Sequence, residues 1–147
     1  MSVANSTTKT ILLAEDDEDD YILFCEVMKD YAGPVTLKWI KNGEELMNFL
    51  KQEKADMIFL DINMPIKNGF ECLTEIRNDE QLKHLPVIIF STSNDTKLVN
   101  RMYNTGANLY LCKPTEFKKL ESSIHKAIGM DWEKQTPYPK LQDFVLE

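Results

Sequence analysis

Several residue types are scarce or badly placed for common chemistries. The three cysteines, Cys25, Cys72 and Cys112, lie far apart with no Cys-x-x-Cys pair. That excludes a paired disulfide framework and a zinc ribbon, and leaves them as small core residues suited to a reducing compartment. The two histidines, His84 and His125, have no cysteine or carboxylate at ligand spacing; they read as surface residues on a loop and a helix. Only five glycines occur, none in a Gly-x-x-x-x-Gly-Lys-[Ser/Thr] loop and none spaced to cradle a dinucleotide. The chain therefore has no evident nucleotide donor site. No apolar run approaches the roughly 20 residues of a membrane span, and the polar stretch Met1 to Thr10 is not a secretory signal. With 17 Lys and Arg against 24 Asp and Glu, the formal charge is −7 and no basic patch stands out, which argues against nucleic acid as a partner. A soluble, cytoplasmic protein is expected.

What remains is globular composition: 147 residues, 43% apolar and 28% charged, enough for one domain with a real core. Thr10 to Ala14 reads as a buried first strand, followed by six consecutive acids, Glu15 to Asp20. Phe24, Val27, Met28 and Tyr31 recur at helical spacing until Gly33-Pro34. Val35 to Ile40 alternates and predicts an edge strand. Leu46, Met47 and Leu50 mark a short second helix. Met57 to Leu60 is a doubly buried strand that stops at Asp61. Phe70, Leu73 and Ile76 line a third helix, and Val87 to Phe90 forms a strand stopping at Ser91-Thr92-Ser93. Leu98, Met102 and Tyr103 mark a fourth helix closing at Gly106. Asn108 to Cys112 is a fifth strand before Lys113-Pro114. The fifth helix carries Phe117, Leu120, Ile124, Ala127 and Ile128, with Thr115 as its N-cap and Gly129 as its end signal. Five strand–helix alternations predict a parallel sheet with helices on both faces. Residues 1–8 read as a loose leader, 9–129 as the domain, and 130–147 as an extension without its own fold.

Parallel strands bring their carboxyl ends to one edge. Glu15 and Asp16, Asp61, Ser91 or Thr92, and Lys113 should therefore converge. Clustered carboxylates stay ionised only beside a cation, and an all-oxygen set favours Mg²⁺ first, then Mn²⁺ or Ca²⁺. A carboxylate nucleophile beside such an ion and a lysine suits phosphoryl transfer. Asp61 is the expected acceptor, and the group would arrive already activated from another protein. Simpler readings stand beside these. Asp61 could be an Asx-turn acid ending a strand, Lys113 a surface lysine, and Tyr110 a half-buried strand aromatic. The acids divide: Glu15 and Asp16 functional, Asp17 adjacent support, Glu18 to Asp20 a solvated loop favouring the first helix. Ser91 is preferred to Thr92 for the hydroxyl role by its nearness to Phe90. Trp132, Tyr138 and Phe144 either cover the sheet edge or fifth helix, or contact a kinase or a second copy.

The acidic pair, the Asp61-x-x-Met64-Pro65-x-x-x-Gly69 run, the Ser91-Thr92 hydroxyls and Lys113-Pro114, each at a strand end, resemble the receiver domain of two-component response regulators. The resemblance covers about residues 9–129. It implies a flavodoxin-like three-layer α/β sandwich with a five-stranded parallel sheet in order 2-1-3-4-5. It implies that a sensor histidine kinase or phosphotransfer protein phosphorylates Asp61, and that Mg²⁺ is held by Glu15, Asp16, Asp61 and the Asn63 backbone carbonyl. Ser91 would be the switch hydroxyl, Lys113 the phosphate partner, and Tyr110 the aromatic that moves inward. The Lys113–Pro114 bond would be cis. Output would pass through the face of the fourth helix, fifth strand and fifth helix, to a downstream protein or onward in a phosphorelay, with a homodimer possible. The acidic loop and extension are most similar to small stand-alone regulators that pair with phytochrome-type or other hybrid kinases. Two alternatives compete. A haloacid-dehalogenase-type phosphatase also uses an aspartyl nucleophile but needs a second aspartate two residues on, where this chain has Asn63. A docking module without chemistry would not need the whole set.

Overall fold

The computed structural model describes residues 8–132 and 139–146. The expected leader up to residue 7, and Pro137, Tyr138 and Glu147 of the expected extension, lie outside the described residues. The elements run β1 (Lys9–Ala14), α1 (Glu18–Lys29), β2 (Val35–Ile40), α2 (Gly43–Gln52), β3 (Met57–Leu60), α3 (Gly69–Asn78), β4 (Val87–Ser91), α4 (Thr96–Thr105), β5 (Leu109–Cys112), α5 (Phe117–Gly129), α6 (Leu141–Phe144) and β6 (Val145–Leu146).

Helix starts follow their caps more closely than their apolar periods. α1 begins three residues before Tyr21 because the Asp17 carboxylate accepts from the N–H groups of Asp19 and Asp20. Glu18, Asp19 and Asp20 then fill the first turn, where the helix dipole favours them. Asp17→Ala is expected to cost about 1 kcal/mol, read as a lower urea midpoint. Asn68 caps α3 in a reciprocal capping box with Glu71. The expected cap of α5 is wrong: Glu116 holds that position without a side-chain bond. Thr115 lies one residue before that cap and two before Phe117, the first residue of the helix. α4 closes at Gly106 in the left-handed region, φ 110°.

All pairings are parallel, in the order β2-β1-β3-β4-β5-β6. The five strands expected from the sequence take the expected order, with β2 at one edge. The sheet differs in having a sixth member, the two-residue β6, which pairs Tyr110 with Val145 and Leu111 with Leu146. Two residues carry too little periodicity to be recognised as a strand. Phe144 anchors the segment: it is fully buried, its ring 5.1 Å from Tyr103 and 6.2 Å from Tyr110. The Tyr103 hydroxyl also donates to the Pro139 carbonyl at 2.8 Å. Of the two readings for the late aromatics, Phe144 covers the edge beside β5, and Trp132 donates its indole N–H to Ala127 at the end of α5. The Lys113–Pro114 bond is trans, since no cis peptide occurs among the described residues. Trans is the isomer favoured by about 0.5–1 kcal/mol at such bonds.

The sheet's side-chain alternation splits the core into two layers. Leu12, Ile58, Leu60 and Ile89 pack with Leu46, Leu73, Ile76 and Met102 of α2, α3 and α4. Ile11, Leu13, Phe59 and Phe90 pack with Phe24, Val27, Leu120 and Ile124 of α1 and α5. A one-residue slip would send every side chain of these strands into the opposite layer and lose its packing there, and so their ends are held in register at one edge.

Candidate functional site

The acidic loop leaves β1 at Glu15. Its N–H donates to Ile40 at 3.0 Å, and its carbonyl accepts from the Trp39 indole at 2.7 Å. Trp39 stacks on Tyr21 of α1, with centroids 4.1 Å apart and planes within 7°. These contacts fix the loop between β2 and α1. At the end of β3, the Asp61 N–H donates to Ala14 at 2.9 Å, and the Asn63 N–H reaches the Asp61 carboxylate at 3.4 Å. Gly69 brings α3 against the same point, its N–H on the Ile62 carbonyl at 2.9 Å.

Glu15, Asp16 and Asp61 come together, with one carboxylate oxygen from each lying within 4.8 Å of the other two. Opposite ligands of an octahedral ion with bonds of about 2.1 Å lie about 4.2 Å apart, so the spacing and the all-oxygen donor set fit a small divalent cation. Glu15 and Asp61 are buried, 1% and 7% exposed, which an isolated carboxylate would not tolerate. Lys113 from the end of β5 joins them, with Nζ 3.2 and 3.4 Å from the two Glu15 oxygens and 4.7 Å above the Phe90 ring.

Asp20 is the site residue that sequence reasoning missed. Its place in the acidic run predicts a solvated loop residue, yet its carboxylate accepts from Lys113 at 2.8 Å, the shorter of that lysine's two ion pairs. A usable signal was present. With Asp17 as the cap, Asp20 is the third residue of α1, and helical side chains lean back toward the N-terminus. Asp17 belongs to the helix cap, and Asp17 and Asp20 form a second close acidic group with Glu15.

The charges interact strongly. Burial first, then hydrogen bonds and charge from Asp20 and Asp61, push Glu15 up to about 9, with Lys113 opposing. Burial also raises Asp61, although Glu15 and Lys113 pull it back. Burial works against ionising Asp20, but the bond from Lys113 holds it below the ordinary aspartate value. Lys113 is desolvated too, and Asp20, Glu15 and Asp61 nonetheless keep it charged. The upward shifts of Glu15 and Asp61 are what crowding buried carboxylates together produces, and a cation among them would oppose both.

Ser91 is the last residue of β4 and is buried, whereas Thr92 is exposed. The Ser91 Oγ accepts from the Ser93 N–H at 3.2 Å, and the Tyr110 hydroxyl donates to the Ser93 carbonyl at 2.7 Å. Tyr110 is fully buried and lies inward. A cavity of about 790 Å³ opens beside it, lined by Thr96, Val99, Lys113, Pro114, Lys118 and Val145 among others. His84 is exposed, and half-buried His125 bonds Val27 of α1, so neither approaches the acids.

Comparison with known proteins meets this geometry from another side. The family model of the response regulator receiver domain matches residues 11–125. The chain is 35% identical over 127 residues to the response regulator Rcp1 of Synechocystis sp., covering 82% of this chain and 86% of that protein. Among solved structures it is similar to the Mn²⁺-bound form of Rcp1, at 32% identity and TM-score 0.75, covering 90% of this chain and 99% of that one. It is also similar to the phosphorylated cyanobacterial phytochrome response regulator RcpA, at 32% identity and TM-score 0.76, covering 87% and 96%. Five parallel strands in register, the acids and lysine at their ends, and a matched span of most of the sequence lead to one conclusion: the chain belongs to the response regulator receiver domain family of two-component signalling.

Proposed function

We propose that Asp61 accepts a phosphoryl group from a sensor histidine kinase or phosphotransfer protein in the cytoplasm, in a Mg²⁺-dependent reaction, and that the chain works as a signalling switch. The convergence of Glu15, Asp16 and Asp61 beside Lys113 carries this reading. Glu15, Asp16, Asp61 and the Asn63 carbonyl would hold the ion, which when bound neutralises charge on the phosphoryl oxygens. An Asp61 oxygen attacks phosphorus in line as the donor's bond to phosphorus breaks. The Asn63 N–H steadies that carboxylate, and Lys113 supplies the cationic side of the pocket.

Ser93 gives the switch a physical link. Its N–H holds the Ser91 hydroxyl and its carbonyl holds Tyr110. If Ser91 turns its hydroxyl to a phosphoryl oxygen, the Ser91–Ser93 turn loses its bond and the anchor of Tyr110 shifts. Tyr110 lies on β5 between α4 and α5, so a downstream protein contacting that face would sense the change. Phosphorylation would thus shift a population between two arrangements of the face, with slow loss of the group by self-catalysed hydrolysis.

The test is intact mass after incubation with acetyl phosphate and Mg²⁺, with a chelator control. A gain of one phosphoryl group that disappears with the chelator is expected; equal uptake with and without the ion would contradict the reading.

A further inference from the structure

The Lys113 ammonium pairs with two carboxylates in the resting protein. It donates to Asp20 at 2.8 Å and to the two Glu15 oxygens at 3.2 and 3.4 Å, and among the described residues no hydrogen bond joins it to Asp61. The lysine side chain is only 11% exposed, so its charge cannot be satisfied by water while it moves. With its three N–H donors already given to Asp20 and to the two Glu15 oxygens, it reaches a phosphoryl oxygen on Asp61 only by giving up one of these bonds. Glu15 is a member of the Glu15–Asp16–Asp61 oxygen set and is 1% exposed. Asp20 lies outside that set, is 28% exposed at its side chain, and can pass to water once released.

We propose that Asp20 is a positioning residue for phosphoryl acceptance: it restrains the Lys113 ammonium in the resting protein and releases it when Asp61 carries the phosphoryl group. The proposal rests on the reading of Asp61 as acceptor. The step balances without a further reactant. An Asp61 oxygen–phosphorus bond forms, the donor's bond to phosphorus breaks (nitrogen–phosphorus in a phosphohistidine, oxygen–phosphorus in acetyl phosphate), and the leaving group departs with that electron pair. One Lys113 N–H then exchanges the Asp20 carboxylate for a phosphoryl oxygen, and Asp20 gains water. Because Asp20 is in the first turn of α1, its release also frees the N-terminal end of that helix from β5. The restraint therefore couples the chemistry to α1 as well as to the Tyr110 face.

The experiment times phosphoryl uptake from acetyl phosphate by intact mass, at saturating Mg²⁺, in the wild type, Asp20→Asn, Asp20→Glu, Lys113→Ala and the Asp20→Asn/Lys113→Ala double variant. Asp20→Asn is expected to speed uptake by about three- to tenfold, the worth of one charge-assisted hydrogen bond at a partly exposed position. Asp20→Glu should restore the slow rate. In the Lys113→Ala background the acceleration should vanish, since Asp20 acts through that lysine. Persistence of the gain there would mean that Asp20 only repels the anionic donor, and a slower Asp20→Asn would mean that it assembles the site; either result overturns the proposal. A second readout covers a Lys113→Ala protein too slow to time. The ¹³C signal of the Asp20 carboxylate should move when Mg²⁺ and beryllofluoride, a phosphoryl mimic, are added to the wild type. An unmoved signal in protein that has bound the mimic refutes the release. No uptake by the wild type would instead refute Asp61 as acceptor.

Discussion

Alanine at position 69 is expected to lower folding stability by about 3 kcal/mol, at the upper end of what overpacking costs. A Cβ at position 69 would overlap the Asp61 carbonyl oxygen and come within 2.8 Å of the Ile62 Cα. Both are backbone atoms at the end of β3, so no side chain can swing away to make room. Relief must come from moving α3 off the strand end or from displacing Asp61 itself. Gly129→Ala is the matched control, because a Cβ there meets nothing within 4 Å. Urea unfolding compares the two. A Gly69→Ala midpoint indistinguishable from that of the control would contradict the close packing of α3 on Asp61.

Affinity for Mg²⁺ should rise by about tenfold per pH unit from pH 7 toward 9 and then level off. The direction follows from Glu15, which burial and the neighbouring acids Asp20 and Asp61 raise from 4.5 to about 9. With the carboxyl raised in this way, the ion-free protein is expected to hold it protonated at pH 7, and binding a cation is expected to expel the proton. Calorimetric titration in buffers of different ionisation enthalpy should detect close to one proton released per ion at pH 7. The same shift has a stability consequence of opposite sense. A carboxyl whose folded value lies above its unfolded value contributes fully below the unfolded value, and the contribution is lost as pH rises through the folded one. Ion-free protein should therefore weaken between about pH 4.5 and 9, while excess Mg²⁺ flattens the loss. An affinity independent of pH would show that Glu15 is already ionised beside Lys113.

Which parts of this molecule could be read beforehand follows from the range of the forces involved. Met57 to Leu60 and Val87 to Phe90 are apolar at every position, and only a doubly covered parallel strand accommodates that. The fold and the convergence of Asp61, Glu15, Asp16 and Lys113 follow from those strands, because a parallel sheet permits few other placements. The cap of α5 was misplaced because Thr115 and Glu116 differ by one residue, and apolar periodicity fixes a helix face better than its first turn. β6 escaped notice because its position depends on Phe144 finding Tyr103 and Tyr110, a contact between distant parts of the chain. Asp20 was hidden by its neighbours. Six acids in a row look alike until the Asp17 cap sets the phase of α1, and only then does one of them turn back toward Lys113.

The proposed switch depends most on Asp61. Wild-type protein and Asp61→Asn, each shown to be folded, should be incubated side by side with acetyl phosphate and Mg²⁺ and weighed by intact mass. The wild type is expected to gain one phosphoryl group and the variant none, because the amide oxygen is a far poorer nucleophile than the carboxylate it replaces. A wild type that stays unmodified, or a variant that gains the group equally well, would contradict the assignment of Asp61 as the acceptor.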